Sequence, residues 1–173
     1  MADGIRGKKY LDFPPLIQKG ILLHRAIDSY TDAHPIFRQS TARLHAGYSH
    51  YSGVIVDMFY DHFLASRWEN FHPQPLEEYV QDFYQLLQDS YKDLTPRTKG
   101  LMPYMISDNW LVSYASISGL ERILGQMDSR TKGRSKMQQS VRELQLYYDD
   151  FANEFEQFFN EIIIFSQSKL AQL

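Results

Sequence analysis

The chain has 173 residues, of which 43% are hydrophobic and 23% charged, with a formal net charge of -3. A domain holds roughly 100–200 residues, so this length gives one domain, and the composition excludes wholesale disorder. The mild acidity argues against a general nucleic-acid binder, and the absence of cysteine excludes disulfides, thiolate ligands and iron–sulfur clusters.

The N-terminus, MADGIRGKKYLDFPP, has no apolar h-region and is not a signal peptide. Pro14 and Pro15 precede an apolar spacing over 16–30 (Ile17, Ile21, Leu22, Ile27) that predicts a helix with proline in its first turn. Pro35 opens a second helix to about residue 45. Residues 47–53, rich in Tyr, Ser, His and Gly, read as a loop. Residues 54–68 form a third helix that is apolar on most sides and therefore central. Pro73 and Pro75 separate it from a fourth over 76–91. Thr95-Pro96 starts a fifth that runs to Leu111 and is bent or broken at Pro103. A short amphipathic helix follows over 117–127, then a polar, basic loop over 129–135. Met137, Val141, Leu144, Tyr148, Phe151, Phe155 and Phe158 then step by four and three along one long last helix. No stretch alternates strictly and no apolar run is long enough to span a bilayer. The expected fold is all-α, about seven helices in a single domain.

Zero cysteine confines any metal site to His, Asp and Glu. Two of the six histidines stand among acids. His24, Asp28 and Asp32 recur every four residues and share a helical face. Asp57 and Asp61 are likewise four apart, with His62 adjoining, inside the apolar third helix. Carboxylates there are costly to bury unless paired or bound to metal. Facing helices that carry carboxylate and imidazole are a common way to build a metal site, and such donors suit Mn, Fe, Co, Ni, Zn or Mg. The structural alternatives are a plain hydrogen-bonded pair for His24 and Asp28, and a buried ion pair with Arg25 or Arg67 for the Asp57–His62 group. His34, His45, His50 and His72 are read as structural.

Charge is uneven. Through residue 25, Arg6, Lys8, Lys9, Lys19 and Arg25 outnumber Asp3 and Asp12, and Arg130, Lys132, Arg134, Lys136 and Arg142 form a second basic stretch. These are either solvated surface or a rim that attracts an acidic partner or a phosphate.

The strings PPLIQKGILLHRAIDSYTDAHP, VIVDMFYDHFLASRW and ISDNWLVSYASISGLERILGQM together resemble the acyl carrier protein phosphodiesterases over nearly the whole chain. The resemblance implies a distorted HD-type helical domain and a divalent metal, Mn²⁺ first, with Fe²⁺, Co²⁺ or Mg²⁺ as alternatives. It also implies hydrolysis of the phosphodiester that joins 4′-phosphopantetheine to a serine of holo-acyl carrier protein. The family's HRxID falls on His24, Arg25 and Asp28, its DxxxDH on Asp57, Asp61 and His62, and the acid of its GN-x-x-x-D-x-x-x-G segment on Asp3, closed by Gly7. On that basis Asp3, His24, Asp61 and His62 are the expected metal ligands. Asp28, Asp57 and Arg25 are the expected catalytic residues, and Arg6, Lys8, Arg130, Lys132 and Arg134 the expected docking cations. The family pattern leads one to expect a further apolar N-terminal segment ahead of Met1, so that residues 1–173 would be a truncated domain, with a cytoplasmic location. Two other functions fit these residues: a metal phosphohydrolase of nucleotides or small phosphoesters, and a non-catalytic helical carrier-binding protein.

Overall fold

The computed structural model describes residues 4–173. Its helices are α1 (Pro15–Ala33), α2 (Pro35–Tyr48), α3 (Ser52–Ser66), α4 (Leu76–Asp89), α5 (Pro96–Ser107), α6 (Trp110–Ser113), α7 (Ile117–Arg130), α8 (Val141–Leu146) and α9 (Tyr148–Gln172). Seven of these are long, α6 and α8 are short, and among the described residues there is no strand. Among the described residues no helix is long and apolar enough to cross a membrane.

The helix starts follow the expected chemistry. Pro15, Pro35 and Pro96 stand in first turns, where a missing amide hydrogen costs nothing. The Thr95 and Ser116 hydroxyls cap the amides of Thr98 and Gly119.

Three expectations are corrected. The loop over 47–53 is instead a corner: α2 runs to Tyr48, one 3₁₀ turn covers Ser49–Tyr51, and α3 begins at Ser52. Ser49 takes the positive φ the corner needs, and the Ser52 hydroxyl closes it on the Ser49 carbonyl at 2.7 Å. The fifth helix does not break at Pro103, which is exposed and lies inside α5; the chain turns at Asn109, in the left-handed region at φ 46°. The last helix is interrupted: a 3₁₀ turn (Met137–Ser140), α8 and α9 share the apolar seam, with the break at Tyr147.

Helix α3 is central, as its composition dictates. Ile55, Val56, Phe59 and Phe63 have no exposed surface, and the helix packs on α2, α7 and α9. The α9 seam meets it ring to ring: Phe59 lies edge-on to Phe151 at 5.2 Å and Phe63 is stacked with Phe155 at 5.8 Å. Such aromatic pairs add about 0.5–1.5 kcal/mol each beyond the area they bury.

Helix α1 lies outside this core and is held from two sides. Ile5 packs on Ile21 beneath Tyr10, Phe13 and Ile17, while Tyr30 stacks on Phe165 of α9 at 4.2 Å. With these contacts committed, the polar stripe of α1 faces α3.

One buried ion pair ties α9 to α2. Glu154 accepts from Arg43 through both oxygens, at 2.7 and 2.6 Å, and also from Ser40 and Gln39. Burial opposes its ionisation, but the hydrogen bonds from Arg43 and Ser40 prevail and hold its pKa below the usual range. This contribution is therefore present at neutral pH and fades as acid protonates the carboxylate. Glu154→Ala leaves the Arg43 charge unpaired, at a cost of about 3 kcal/mol. A fall in Tm of roughly 6–12 °C is expected by calorimetry, and an unchanged Tm would contradict this role.

Candidate functional site

An open cavity of about 590 Å³ lies between α1, α3 and α9. Helix α1 contributes His24, Asp28, Thr31 and Asp32, and α3 contributes Asp57 and Asp61. The opposite wall is apolar and comes mainly from Phe155, Phe158 and Phe159 of α9. The four-residue spacings place these groups as they do any helical stripe: side chains at i, i+4 and i+8 drift by only a small angle per step.

The cavity is strongly acidic. Among the described residues four aspartates and one histidine line it, and no arginine or lysine does. His24 Nδ1 donates to Asp28 Oδ2 at 2.9 Å, the sort of pairing that fixes an imidazole's tautomer and orientation. Among the described residues, Asp57 and Asp61 have no hydrogen-bond or ion-pair partner. Burial, then the charges of Asp32 and Asp28 across the cavity, push Asp57 up to about 7. Burial and then Asp57 itself push Asp61 up to about 7. The two helices thus bring like charges together with no arginine or lysine among the described residues lining the space between them. Among the described residues no three His, Asp or Glu side chains converge into a ready-made metal cluster.

The structure does not bring every expected site residue to this cavity. His62 faces the other side of α3. Its Nδ1 lies 2.8 Å from the Tyr114 carbonyl, which can only accept, so that nitrogen carries the proton. Its Nε2 then accepts from the Tyr148 hydroxyl at 3.1 Å. Burial lowers its pKa and keeps the ring neutral, so both nitrogens are committed to structure. Arg25 also turns away: its guanidinium donates to the Ile5 carbonyl and lies over the Tyr10 ring at 5.4 Å. It tethers the N-terminal segment to α1. Neither rival ion pair for the α3 aspartates is present, because Arg67 engages Glu156 instead. Asp3 lies outside the described residues.

Arg6, Lys8, Arg130, Lys132 and Arg134 are all exposed and none lines the cavity. Arg130 lies over Trp110 at 5.9 Å. The loop after α7 is a tight turn, with Lys132, Gly133 and Lys136 at positive φ. Asp128 closes it by accepting from the Ser135 hydroxyl at 2.6 Å, which leaves the cations outside.

Sequence reasoning put Asp32 on the face of His24 and Asp28 without assigning it a function, and the structure places it in the same cavity. The aromatic wall has no local signal, since it comes from α9, far along the chain from the aspartates of α1 and α3.

The fold and site define an all-helical protein with an acid-walled cavity between its first, central and last helices. The chain belongs to the acyl carrier protein phosphodiesterase family, whose model matches residues 1–162. It is 30% identical over 177 residues to the acyl carrier protein phosphodiesterase of Klebsiella pneumoniae strain 342, covering 98% of this chain and 88% of that one. It is 31% identical over 160 residues to that of Escherichia coli strain K12 / DH10B, covering 92% and 83%. No solved structure matches.

The raised Asp61 pKa has a stability consequence. A carboxylate whose folded pKa exceeds its unfolded value contributes stability below about pH 4, and that contribution is lost as pH rises through about 7. Asp61→Asn removes this penalty. In metal-free protein its Tm should equal the parent's near pH 4 and exceed it at pH 8, by about 2–4 °C for each kcal/mol recovered. A variant less stable than the parent at pH 8 would show that Asp61 has a favourable partner.

Proposed function

We propose that this chain is a metal-dependent phosphodiesterase that hydrolyses holo-acyl carrier protein to apo-carrier and 4′-phosphopantetheine. Family membership suggests the reaction, and the observation that supports it is a cavity that no arginine or lysine among the described residues lines. A phosphodiester is an anion, and four aspartates with no arginine or lysine repel it. A divalent cation resolves that conflict, and the donors fit one in kind: hard carboxylate oxygens and one imidazole, the set that suits Mn²⁺, Fe²⁺, Co²⁺ or Mg²⁺. His24, Asp57 and Asp61 line the cavity without converging on one point, and they are the residues that would draw together to hold it, with Asp3 as the expected further ligand. Bound there, such an ion supplies a Lewis acid for the phosphoryl oxygens and lowers the pKa of a water.

The residues of the chain supply the rest. Asp28 orients His24. Asp32, whose charge acts on Asp57, is the carboxylate that accepts a proton from the attacking water in this reading. That water's oxygen bonds to phosphorus while the bond from phosphorus to the serine oxygen breaks. The serine oxygen takes up the proton that Asp32 received, and the serine leaves as apo-carrier. Arg25 and His62 serve as supports in this reading, one fixing the N-terminal segment and the other the packing of α3 against Tyr114 and Tyr148. The helical arrangement is taken as a distorted HD-type domain, and the cytoplasm as its location.

Conversion of holo-carrier to apo-carrier, followed by mass spectrometry with added Mn²⁺, tests this directly. Turnover is expected in the parent, with a loss of about 100-fold or more in His24→Ala and Asp61→Ala. Unchanged turnover in Asp61→Ala, or release of no 4′-phosphopantetheine with any of the four ions, would contradict it.

The exposed cations are read as the face that meets the acidic carrier. Steering of this kind weakens with salt. Combining Arg130→Gln, Lys132→Asn and Arg134→Gln removes three charges, and asparagine tolerates the positive φ at 132. The expected outcome is a KM several-fold higher with kcat kept and a flatter dependence on ionic strength. A KM insensitive to both salt and these substitutions would remove this face from carrier binding.

A further inference from the structure

A smaller, apolar cavity of about 150 Å³ opens beside the acidic one, between α3, α4 and α6. Leu64, Ala65 and Trp68 line it together with Val80, Leu111 and Tyr114. Asp61 and Leu64 line both cavities, so the Asp61 carboxylate stands at their join. Nothing in the hydrolytic chemistry above uses this space.

We infer that the apolar cavity receives the dimethyl-substituted quaternary carbon of the pantoyl unit, making it a specificity site for the 4′-phosphopantetheine arm. This rests on the phosphodiesterase reading above. Three observations carry it. The first is connectivity. In that arm the quaternary carbon is separated from the phosphate by a single methylene, while the thiol lies at the far end. A cavity that shares the Asp61 wall with the phosphodiester site meets the near end of the arm. The second is size. An apolar cavity of about 150 Å³ accepts a benzene-sized group, and a carbon bearing two methyls is of that class. The third is polarity. Trp68 donates its indole hydrogen to the Gln74 carbonyl at 2.8 Å, and the Tyr114 hydroxyl points to the Met58 sulfur at 3.2 Å. Both of these donors are committed elsewhere, and Tyr79, which also lines the cavity, is exposed at its rim with its ring packed on Trp68 and His72, so the inner walls offer methyl contact in place of hydrogen bonds to the arm's amides.

Burying two methyls is worth about tenfold or somewhat more in kcat/KM. The test loads one carrier with the natural arm or with an arm lacking the two methyls, and follows release of each by mass spectrometry with Mn²⁺. The parent chain should cleave the natural arm about tenfold more efficiently. In Ala65→Phe, which fills the cavity, that ratio should fall toward one. The comparison of arms on the parent chain needs no variant, so it stands even if Ala65→Phe folds poorly. Equal kcat/KM for the two arms, or a ratio unchanged in folded Ala65→Phe, overturns this inference alone. If the parent chain releases neither arm, the phosphodiesterase reading falls and this inference falls with it.

Discussion

Two aspartates one turn apart on a central apolar helix face two more on the neighbouring helix, and among the described residues no arginine or lysine lines the cavity between them. Asp57 and Asp61 are each driven up to about 7 by burial and by neighbouring acids. Isolated helices carrying these stripes would drift apart or turn them to water. Here they are held in opposition because the apolar faces of the same helices have nowhere else to go. The electrostatic cost is local, and the aromatic seam offsets it. Rule-breaking of this kind, paid for elsewhere in the fold, is what functional sites tend to show.

The supports are distinct from the site. Phe155 and Phe158 wall the cavity, while on the same helix Glu154 locks α9 to α2 through Arg43 and Ser40. The α9 helix therefore sets the cavity's depth and its distance from α2 together. Arg25 holds the N-terminal segment on α1, and His62 fixes α3 against Tyr114 and Tyr148. Both residues adjoin a cavity residue in sequence and point elsewhere in space.

That adjacency explains what could be read from the chain and what could not. Period-four spacing was reliable: His24 with Asp28, and Asp57 with Asp61, do share faces of one cavity. Adjacency was not, because neighbours on a helix diverge by about 100°. His62 after Asp61 and Arg25 after His24 are thereby directed to other contacts. The centrality of α3 was legible in its composition. The corner at Ser49 and the turn at Asn109 were not, because each depends on one residue accepting a positive φ. The Glu154–Arg43 pair joins residues 111 positions apart, and no local pattern announces it. The family motifs carried the functional reading, but they do not separate groups that line the cavity from groups that brace it.

The proposed activity requires that the aspartates of α3, which have no partner among the described residues, hold a divalent cation. Titrating Mn²⁺ into the metal-free chain by calorimetry, in two buffers of different ionisation enthalpy, measures affinity and proton release together. Carboxyls poised near 7 must shed protons to bind, so affinity should rise between pH 6 and 8 with proton release, and should be lost in the double variant Asp57→Asn, Asp61→Asn. Binding that is flat with pH and unchanged in the double variant would contradict the claim.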